Sequence, residues 1–296
     1  TGAGNITFAD TINATTAGGQ SLTLTAGGGN VNFQTATVGQ ATVTAHVGGS
    51  VALSSIDITA ANITLRDVTT TGTQNYTATG VIDTNSTYVS NGANITFAGV
   101  TVANSALVID TTNAGNAATA GTVTFNSTLD SAASAANNVT ITAGTGNVNF
   151  TGLVGSTQAL GAVSIASAKD VTVNGLRAAS FAQTVGTGTT TINTGAFAST
   201  LQGIATTAST GVVINNDAIT INDSIDTTGA GVVTLTTDNG LLTIAADGDI
   251  NADGAVQLTG LTGIKTAGDI TTTNDNVTFK SATTLTGNVV INTGLD

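Results

Sequence analysis

The chain has 296 residues, a formal net charge of −12 and only 7% charged residues, and it contains no Pro, Cys, Met or Trp. Without Cys it cannot form a disulfide framework or the usual thiolate zinc sites. Five Lys and Arg residues against 17 acidic ones exclude a track for nucleic-acid phosphates and disfavour anionic membranes, and no apolar run approaches the about 18 residues that a membrane-spanning helix needs.

The remaining composition favours an all-β fold with short strands. All acidic residues are Asp and Met is absent, so the chain lacks most of the strong helix formers. Thr, Val and Ile favour strands, and the 37 Gly residues, with Asn and Asp, favour tight turns. A hydrophobic content of 40% and a mean hydropathy of +0.30 supply enough apolar surface for a core, which argues against disorder.

A four-residue phrase recurs along the chain: Asn or a small residue, an apolar residue, Thr or Asn, and a second apolar residue. Each copy predicts a short strand with its two apolar side chains on one side and Thr between them on the other. The copies in chain order are NITF (5–8), NVNF (30–33), NITL (62–65), NITF (94–97), TVTF (122–125), NVTI (138–141), NVNF (147–150), DVTV (170–173), VVTL (232–235), NVTF (276–279) and NVVI (288–291).

A longer duplication covers the first half of the chain. Residues 5–33 align with residues 122–150 at a constant offset of 117, without a gap. An offset of this size leaves open a tandem of immunoglobulin-like sandwiches. Such sandwiches usually have longer strands, more aromatic cross-strand pairs and some Pro in loops, and they do not require a repeat shorter than the domain.

A shorter repeat near the C-terminus favours a solenoid instead. Ile225, Ile250 and Ile270 occupy equivalent positions, 25 and 20 residues apart, and a polar turn and an apolar–x–apolar strand follow each of them. A period of 20–25 residues fits one coil of a parallel β-helix, or β-solenoid. We therefore expect a single continuous β-solenoid over residues 1–296, with roughly a dozen coils and a length of about 60 Å. Because the chain starts at Thr1 and contains no Met, we expect it to be a fragment or a processed part of a larger protein.

The segment INDSIDTTGAGVVTLTTDNGLLTIAADGDINADGAVQLTG (221–260) resembles the repeat regions of filamentous haemagglutinin-like bacterial exoproteins. These are large adhesins secreted by the two-partner route, and some autotransporter passengers are similar. The resemblance covers nearly the whole chain in repeat style and composition. The Asn-Pro motifs of the family's secretion domain have no counterpart here, because the chain has no Pro.

The resemblance implies a right-handed parallel β-helix, export to the bacterial cell surface, and roles in adhesion, biofilm or contact between cells. Its implied partners are a host or neighbouring-cell surface, glycans or other copies of the chain, without membrane insertion. We therefore expect a non-catalytic structural or adhesive segment of a secreted surface protein. The alternative is a self-assembling filament or sheath subunit that stacks through exposed solenoid ends, since an uncapped end is an unpaired sheet edge.

Catalytic candidates are few. His46 is the only histidine, and its alternation with neighbouring apolar residues predicts an outward or turn-proximal structural position. Polysaccharide-acting enzymes with β-helices use clustered Asp with Arg or Lys. The two Asp groups here, Asp217/Asp223/Asp226 and Asp247/Asp249/Asp253, have no Arg or Lys within ten residues. We expect no enzymatic activity.

One segment resembles the start of a calcium loop. Asp249, Asn251 and Asp253, followed by Gly254 and a Val, match D-x-N-x-D-G-x-V, but position twelve is Gly260 instead of an acid. The same residues also fit a turn of the solenoid repeat. Calcium at Asp249, Asn251 and Asp253 is therefore the one metal hypothesis, and no other cofactor is expected.

Two further patterns have simple structural interpretations. Thr-x-Thr pairs on a flat β-helix face can order water and bind ice, but the pairs Thr23/Thr25, Thr42/Thr44 and Thr140/Thr142 do not recur at one place in every coil. Tyr76, Tyr88, Phe181 and Phe197 lie in the least regular regions, where binding often concentrates, and we interpret them as core residues.

Overall fold

The structure, a computed structural model, describes residues 2–38, 41–197 and 201–294. Within these ranges the chain forms strands and no helix. Twenty-nine strands join in one hydrogen-bonded sheet, which winds into a parallel β-solenoid of about 12 turns. The predicted all-β parallel solenoid is thus confirmed.

Three parallel ladders form the walls of the solenoid, and we call them faces 1, 2 and 3 in the order in which the chain visits them. Face 1 contains β1 (Ile6–Phe8), β3 (Val31–Phe33), β7 (Ile63–Thr64), β12 (Leu129–Ser131), β21 (Ile204–Thr206), β24 (Ile225–Thr227), β27 (Ile250–Ala252), β30 (Ile270–Thr272) and β33 (Ile291–Asn292). Face 2 contains β8 (Val68–Thr70), β13 (Val139–Thr142), β15 (Leu160–Ser167), β22 (Val212–Asn216), β25 (Val233–Thr237), β28 (Val256–Gly260) and β31 (Val277–Phe279).

Face 3 is the longest uninterrupted ladder. It contains β2 (Ser21–Thr25), β6 (Ser55–Ala60), β11 (Val123–Phe125), β14 (Val148–Phe150), β16 (Val171–Asn174), β18 (Thr189–Asn193), β23 (Ala218–Ile221), β26 (Leu242–Ile244), β29 (Ile264–Thr266) and β32 (Thr283–Leu285). The long strands β9 (Gln74–Ser90) and β10 (Ile95–Asp110) bend through all three faces, and β17 (Leu176–Gln183) joins face 1 to face 2.

The C-terminal repeat stacks as its sequence predicts. Ile225 pairs with Ile250, and Ile250 pairs with Ile270, so the three side chains form one buried column on face 1. On face 2, Val233 pairs with Val256, which pairs in turn with Val277. The alternating burial of these strands, with apolar residues inside and Thr between them outside, follows from the two-residue period of a strand.

The 117-residue duplication lies within this one solenoid, displaced by one face. Ile6 and Val31 stack on face 1, whereas their counterparts Val123 and Val148 stack on face 3. The sandwich alternative is therefore wrong for the described residues, and the same strand phrase occupies different faces in its two copies.

Coil length varies more than the predicted 20–25 residues. Successive face 1 partners are 19 residues apart from Ile63 to Ile82 and 32 apart from Val31 to Ile63. The longer coil contains an antiparallel hairpin, β4 (Thr35–Val38) with β5 (Ala41–Thr44). A second hairpin, β19 (Gly195–Ala196) with β20 (Leu201–Gln202), precedes β21. The solenoid therefore accommodates extra residues at its corners without breaking its ladders.

Aromatic rings stack along the interior of face 3. The rings of Phe97 and Phe125 are 4.9 Å apart, and those of Phe125 and Phe150 are 5.6 Å apart, all nearly parallel. Gly is required where two coils approach closely: a Cβ on Gly146 would lie 2.1 Å from the carbonyl oxygen of Gly121 in the preceding coil.

Candidate functional site

His46 lies just before Val47, at the edge of face 2. Its Nδ1 is 2.9 Å from Oδ2 of Asp67, and both side chains are about one third exposed. Oδ1 of Asp67 also accepts a hydrogen bond from the backbone N–H of Thr87, one coil further on. The geometry therefore places His46 in a contact between neighbouring coils.

The residues of the calcium hypothesis each contact a different neighbour in the rod. Oδ1 of Asp249 accepts the backbone N–H of Asp269 at 2.8 Å, and Oδ2 of Asp253 accepts that of Ala230 at 2.8 Å. The side-chain amide of Asn251 donates to Oδ1 of Asp226 at 2.9 Å. These bonds join successive coils, but Asn251 lies within strand β27 and not in the turn that the alternative interpretation assigns to it.

Asn251 and Asp253 border a shallow groove of about 460 Å³ on face 1, with Thr227, Thr228, Ala252, Thr271 and Thr273. Across the described part of the chain, the structure brings together no group of three His, Cys, Asp or Glu side chains that could hold a metal ion. Calcium at Asp249, Asn251 and Asp253 stays a prediction.

The other Asp group, Asp217/Asp223/Asp226, also makes its contacts within the rod. Asp223 accepts the backbone N–H of Ser224 at 2.6 Å, and Asp226 accepts the hydroxyl of the same serine at 2.7 Å. The Asp217 backbone N–H donates to the Asn216 side chain at 2.8 Å. The Asp223 and Asp226 carboxylates and the Asp217 N–H therefore have hydrogen-bond partners within the protein.

The aromatic residues of the irregular regions lie in the interior, as predicted. Tyr76, Tyr88 and Phe181 are fully buried, and Phe197 is 6% exposed. The ring of Phe197 lies 3.9 Å from the guanidinium carbon of Arg177, a cation–π contact between face 1 and the second hairpin. The first three rings therefore belong to the core of the rod, and Phe197 packs the second hairpin against face 1.

The three Thr-x-Thr pairs lie on three different elements. Thr23 and Thr25 belong to β2 on face 3, and Thr140 and Thr142 belong to β13 on face 2. Thr42 and Thr44 lie in the first hairpin, and their side chains are outside the described part of the structure. The prediction that these pairs do not share one place in every coil is confirmed.

A different set of threonines does share one place. We define the threonine row as the seven outward positions at the centres of successive face 3 strands. Strand pairing joins each position directly to the next, without a register shift. The row consists of Thr96, Thr124, Asn149, Thr172, Thr191, Thr220 and Thr243.

Hydrogen-bonded side chains run along both sides of the threonine row. On one side, the amide of Asn222 donates to Asn193 at 2.9 Å, the amide of Asn193 donates to Asn174 at 3.0 Å, and the amide of Asn174 donates to the Thr151 carbonyl at 3.1 Å. We call this set the asparagine ladder. The ladder connects successive coils at one edge of face 3.

On the other side of the row, backbone N–H groups donate to side chains of the preceding coil. The Thr122 N–H donates to the side chain of Asn94, the Asp170 N–H to that of Asn147, and the Thr189 N–H to that of Asp170. At both edges of face 3, these polar side chains therefore form hydrogen bonds between successive coils.

The threonine row itself is different. None of the side-chain hydrogen bonds among the described residues involves a side chain of the row, and each of its members is partly exposed. Its hydroxyl groups can therefore bond to solvent or to an external partner. The sequence signal was present in the central Thr of the apolar–Thr–apolar phrases, although Thr191, which follows Thr190, does not belong to one. Sequence alone did not show which phrases share a face.

Comparison of the chain with protein-family models, with curated proteins and with solved structures finds no match. Among the described residues, no helix has the length and hydropathy to span a bilayer.

Proposed function

We propose that this chain is a non-catalytic structural and adhesive segment of a secreted bacterial surface protein, in which a rigid rod presents its outward side chains and hairpins to another surface. The observation that carries the proposal is the stack of about 12 parallel turns. At the usual distance between strands, that stack is about 58 Å long. A rod of this kind can hold a contact site away from the cell that exports it.

Rigidity is the property that suits the rod to this role. Each coil is joined to the next by parallel pairing on its faces, so bending the rod would break hydrogen bonds on several faces together.

The irregular segments supply places for contact. The first hairpin lies outside the parallel sheet, and the corner after β10 contains three successive residues with positive φ, Asn113, Ala114 and Gly115. Loops on a rigid scaffold are where binding residues usually lie. The repeat style that resembles filamentous haemagglutinin-like exoproteins supports export and adhesion, with a cell surface or its glycans as the partner.

Adhesion can be measured with beads coated with the purified chain and added to bacterial and animal cells. We expect retention of the coated beads, with beads carrying the heat-unfolded chain as the control. Equal retention of both would contradict the proposal. Incubation with acidic and neutral polysaccharides should produce no new reducing or unsaturated ends, and their appearance would show an enzyme instead.

A specific observation favours a second candidate, a filament subunit that stacks end to end. In the last coil, Leu285 is 61% exposed and Ile291 is 48% exposed, although their partners in the preceding coil, Thr266 and Ile270, are buried. A further coil, from the same chain or from another copy, would cover these side chains and pair the free strand edge. Electron microscopy at rising concentration should then show rods joined end to end, and Leu285→Lys should prevent the joining. Single rods at every concentration would exclude this candidate.

A further inference from the structure

We propose that face 3 binds ice through the threonine row. The inference goes beyond adhesion to cells and requires only the folded rod. It depends on three features of the row: its repeat, its free hydroxyl groups and its rigid support.

The repeat of the row is fixed by strand pairing. Seven positions in direct register, with the usual distance between neighbouring strands, extend over about 29 Å. This repeat is close to the spacing of equivalent water oxygens along the hexagonal axes of ice. Six of the seven positions present the same side chain, so the same contact can be made at nearly every coil.

The chemistry of threonine suits an ordered water surface. Each hydroxyl can donate one hydrogen bond and accept others, and in this row none of that capacity is used by the protein. The adjacent methyl group offers a small apolar surface between the hydroxyls. An array of both groups can therefore hold water in a regular pattern, whereas charged side chains would attract mobile counterions and disordered hydration.

The support of the row is rigid before any contact is made. Threonine is β-branched and has few rotamers on a strand. The asparagine ladder fixes the edge of face 3 beside the C-terminal part of the row, and the stacked rings of Phe97, Phe125 and Phe150 lie behind its first three positions. Binding to a crystal surface then costs little conformational entropy, so many weak contacts can add up to a useful affinity.

The other two faces show that the row is not a general consequence of the fold. The outward positions of face 1 include Asp83, Asp130, Arg177 and Asp226, and those of face 2 include Ser164, Ala182, Val213 and Gln257. Only face 3 keeps one uncharged side chain over successive coils, and the next outward positions beyond the two ends of the row are Asn75 and Lys265. The row itself has no exposed aromatic ring for stacking a sugar and no cation for a phosphate, which leaves a flat, uncharged, periodic solid as the partner that the row fits.

The test is the freezing hysteresis of the purified chain and its uptake into a growing ice hemisphere. We expect both for the unmodified chain and their loss in the double variant Thr172→Lys/Thr191→Lys, which places two large cations at the centre of the row. The matched control is Thr234→Lys, at an equally accessible outward position on face 2, which should leave both measurements unchanged. Circular dichroism of all variants should show the same β-sheet signal.

Three outcomes would overturn the proposal. The first is an unmodified chain that shows neither hysteresis nor uptake, and the second is a Thr234→Lys variant that loses both as fully as the double variant does. The third is binding to crystalline cellulose or chitin, but not to ice, that the double variant removes, which would assign the row to a polysaccharide surface. If the double variant loses its β-sheet signal, Thr191→Ser, which keeps the hydroxyl but removes the methyl, replaces it: unchanged hysteresis in that variant contradicts the role assigned to the methyl groups.

Discussion

Face 3 and the other two faces share one interior and differ on the outside. Inside, all three stack buried apolar side chains in register, from Ile225 on face 1 to Phe125 on face 3. Outside, the threonine row repeats one uncharged side chain along most of face 3, with Asp57 and Lys265 beyond its ends, whereas faces 1 and 2 carry mixed polar, charged and apolar residues. The interior therefore determines the fold, and the outer side chains can differ between faces without changing it.

The first way to break this comparison is to substitute inner and outer neighbours on the same strand of face 3. Phe125→Ala leaves a cavity between the rings of Phe97 and Phe150 and should lower the free energy of unfolding by about 3–5 kcal/mol. Thr124→Ala, its outward neighbour, should change that free energy by less than about 0.5 kcal/mol. Urea unfolding followed by circular dichroism measures both free energies. Similar losses of unfolding free energy in the two variants would contradict the view that the interior alone determines the fold.

The pH dependence of stability at alkaline pH tests the interior without a substitution on the outer surface, because two tyrosines are buried there. Burial raises the pKa of Tyr76, as does the nearby Tyr88, and burial likewise raises the pKa of Tyr88 above the ordinary value of 10.0. Above that pH the unfolded chain loses its tyrosine protons while the folded chain keeps them, so stability is full below pH 10 and falls as pH rises.

The expected slope is about 1.4 kcal/mol per pH unit for each of the two tyrosines. Urea unfolding between pH 9 and 11.5 measures it, with Tyr76→Phe/Tyr88→Phe as the control that should lose this part of the dependence. The same alkaline slope in the control and the unmodified chain would show that the tyrosines are not responsible.

A smaller effect separates the edge of face 3 from its centre. Asn193→Ala removes one hydrogen bond to Asn174 and one from Asn222, and should cost about 1–2 kcal/mol of unfolding free energy. Asn149→Ala, within the threonine row, removes a side chain without such bonds and should cost less than about 0.5 kcal/mol. Thermal unfolding of the two variants decides the point: an Asn149 variant as unstable as the Asn193 variant would mean that the row is part of the scaffold.

The smallest expected effect lies outside face 3. His46→Ala removes the contact with Asp67, in which both side chains are partly exposed, and should lower the unfolding free energy by about 0.2–1 kcal/mol. Asp67 keeps its bond from the Thr87 N–H in this variant. A loss larger than that of Asn193→Ala would show that contacts outside face 3 contribute more to the rod than its ladder does.

Much of the fold follows from local patterns. The alternation in DVTV (170–173) correctly predicts Val171 and Val173 inside and Thr172 outside, because successive side chains of a strand point to opposite sides. The C-terminal repeat likewise predicts the pairing of Ile250 with Ile270, since the turns between them are short and similar.

The candidate site was harder to predict than the fold. The sequence drew attention to Asp249, Asn251 and Asp253, which bond to neighbouring coils, and to Thr-x-Thr pairs, which lie on different elements. The threonine row consists of single threonines taken from separate coils, with spacings in sequence that vary from one coil to the next. Neighbouring members of the row are a whole coil apart in sequence, so a short stretch of sequence contains only one of them.

The sequence by itself determined which side chains face the core, because inward and outward positions alternate within a strand of only three to five residues. Only the tertiary structure decided which face each strand joins, because that depends on the accumulated lengths of all the turns and hairpins before it. The duplicated segment shows this directly, because equivalent positions of its two copies stack on face 1 at Ile6 and on face 3 at Val123. The threonine row exists because these turns bring five apolar–Thr–apolar strands, together with the strands of Asn149 and Thr191, into register on one face.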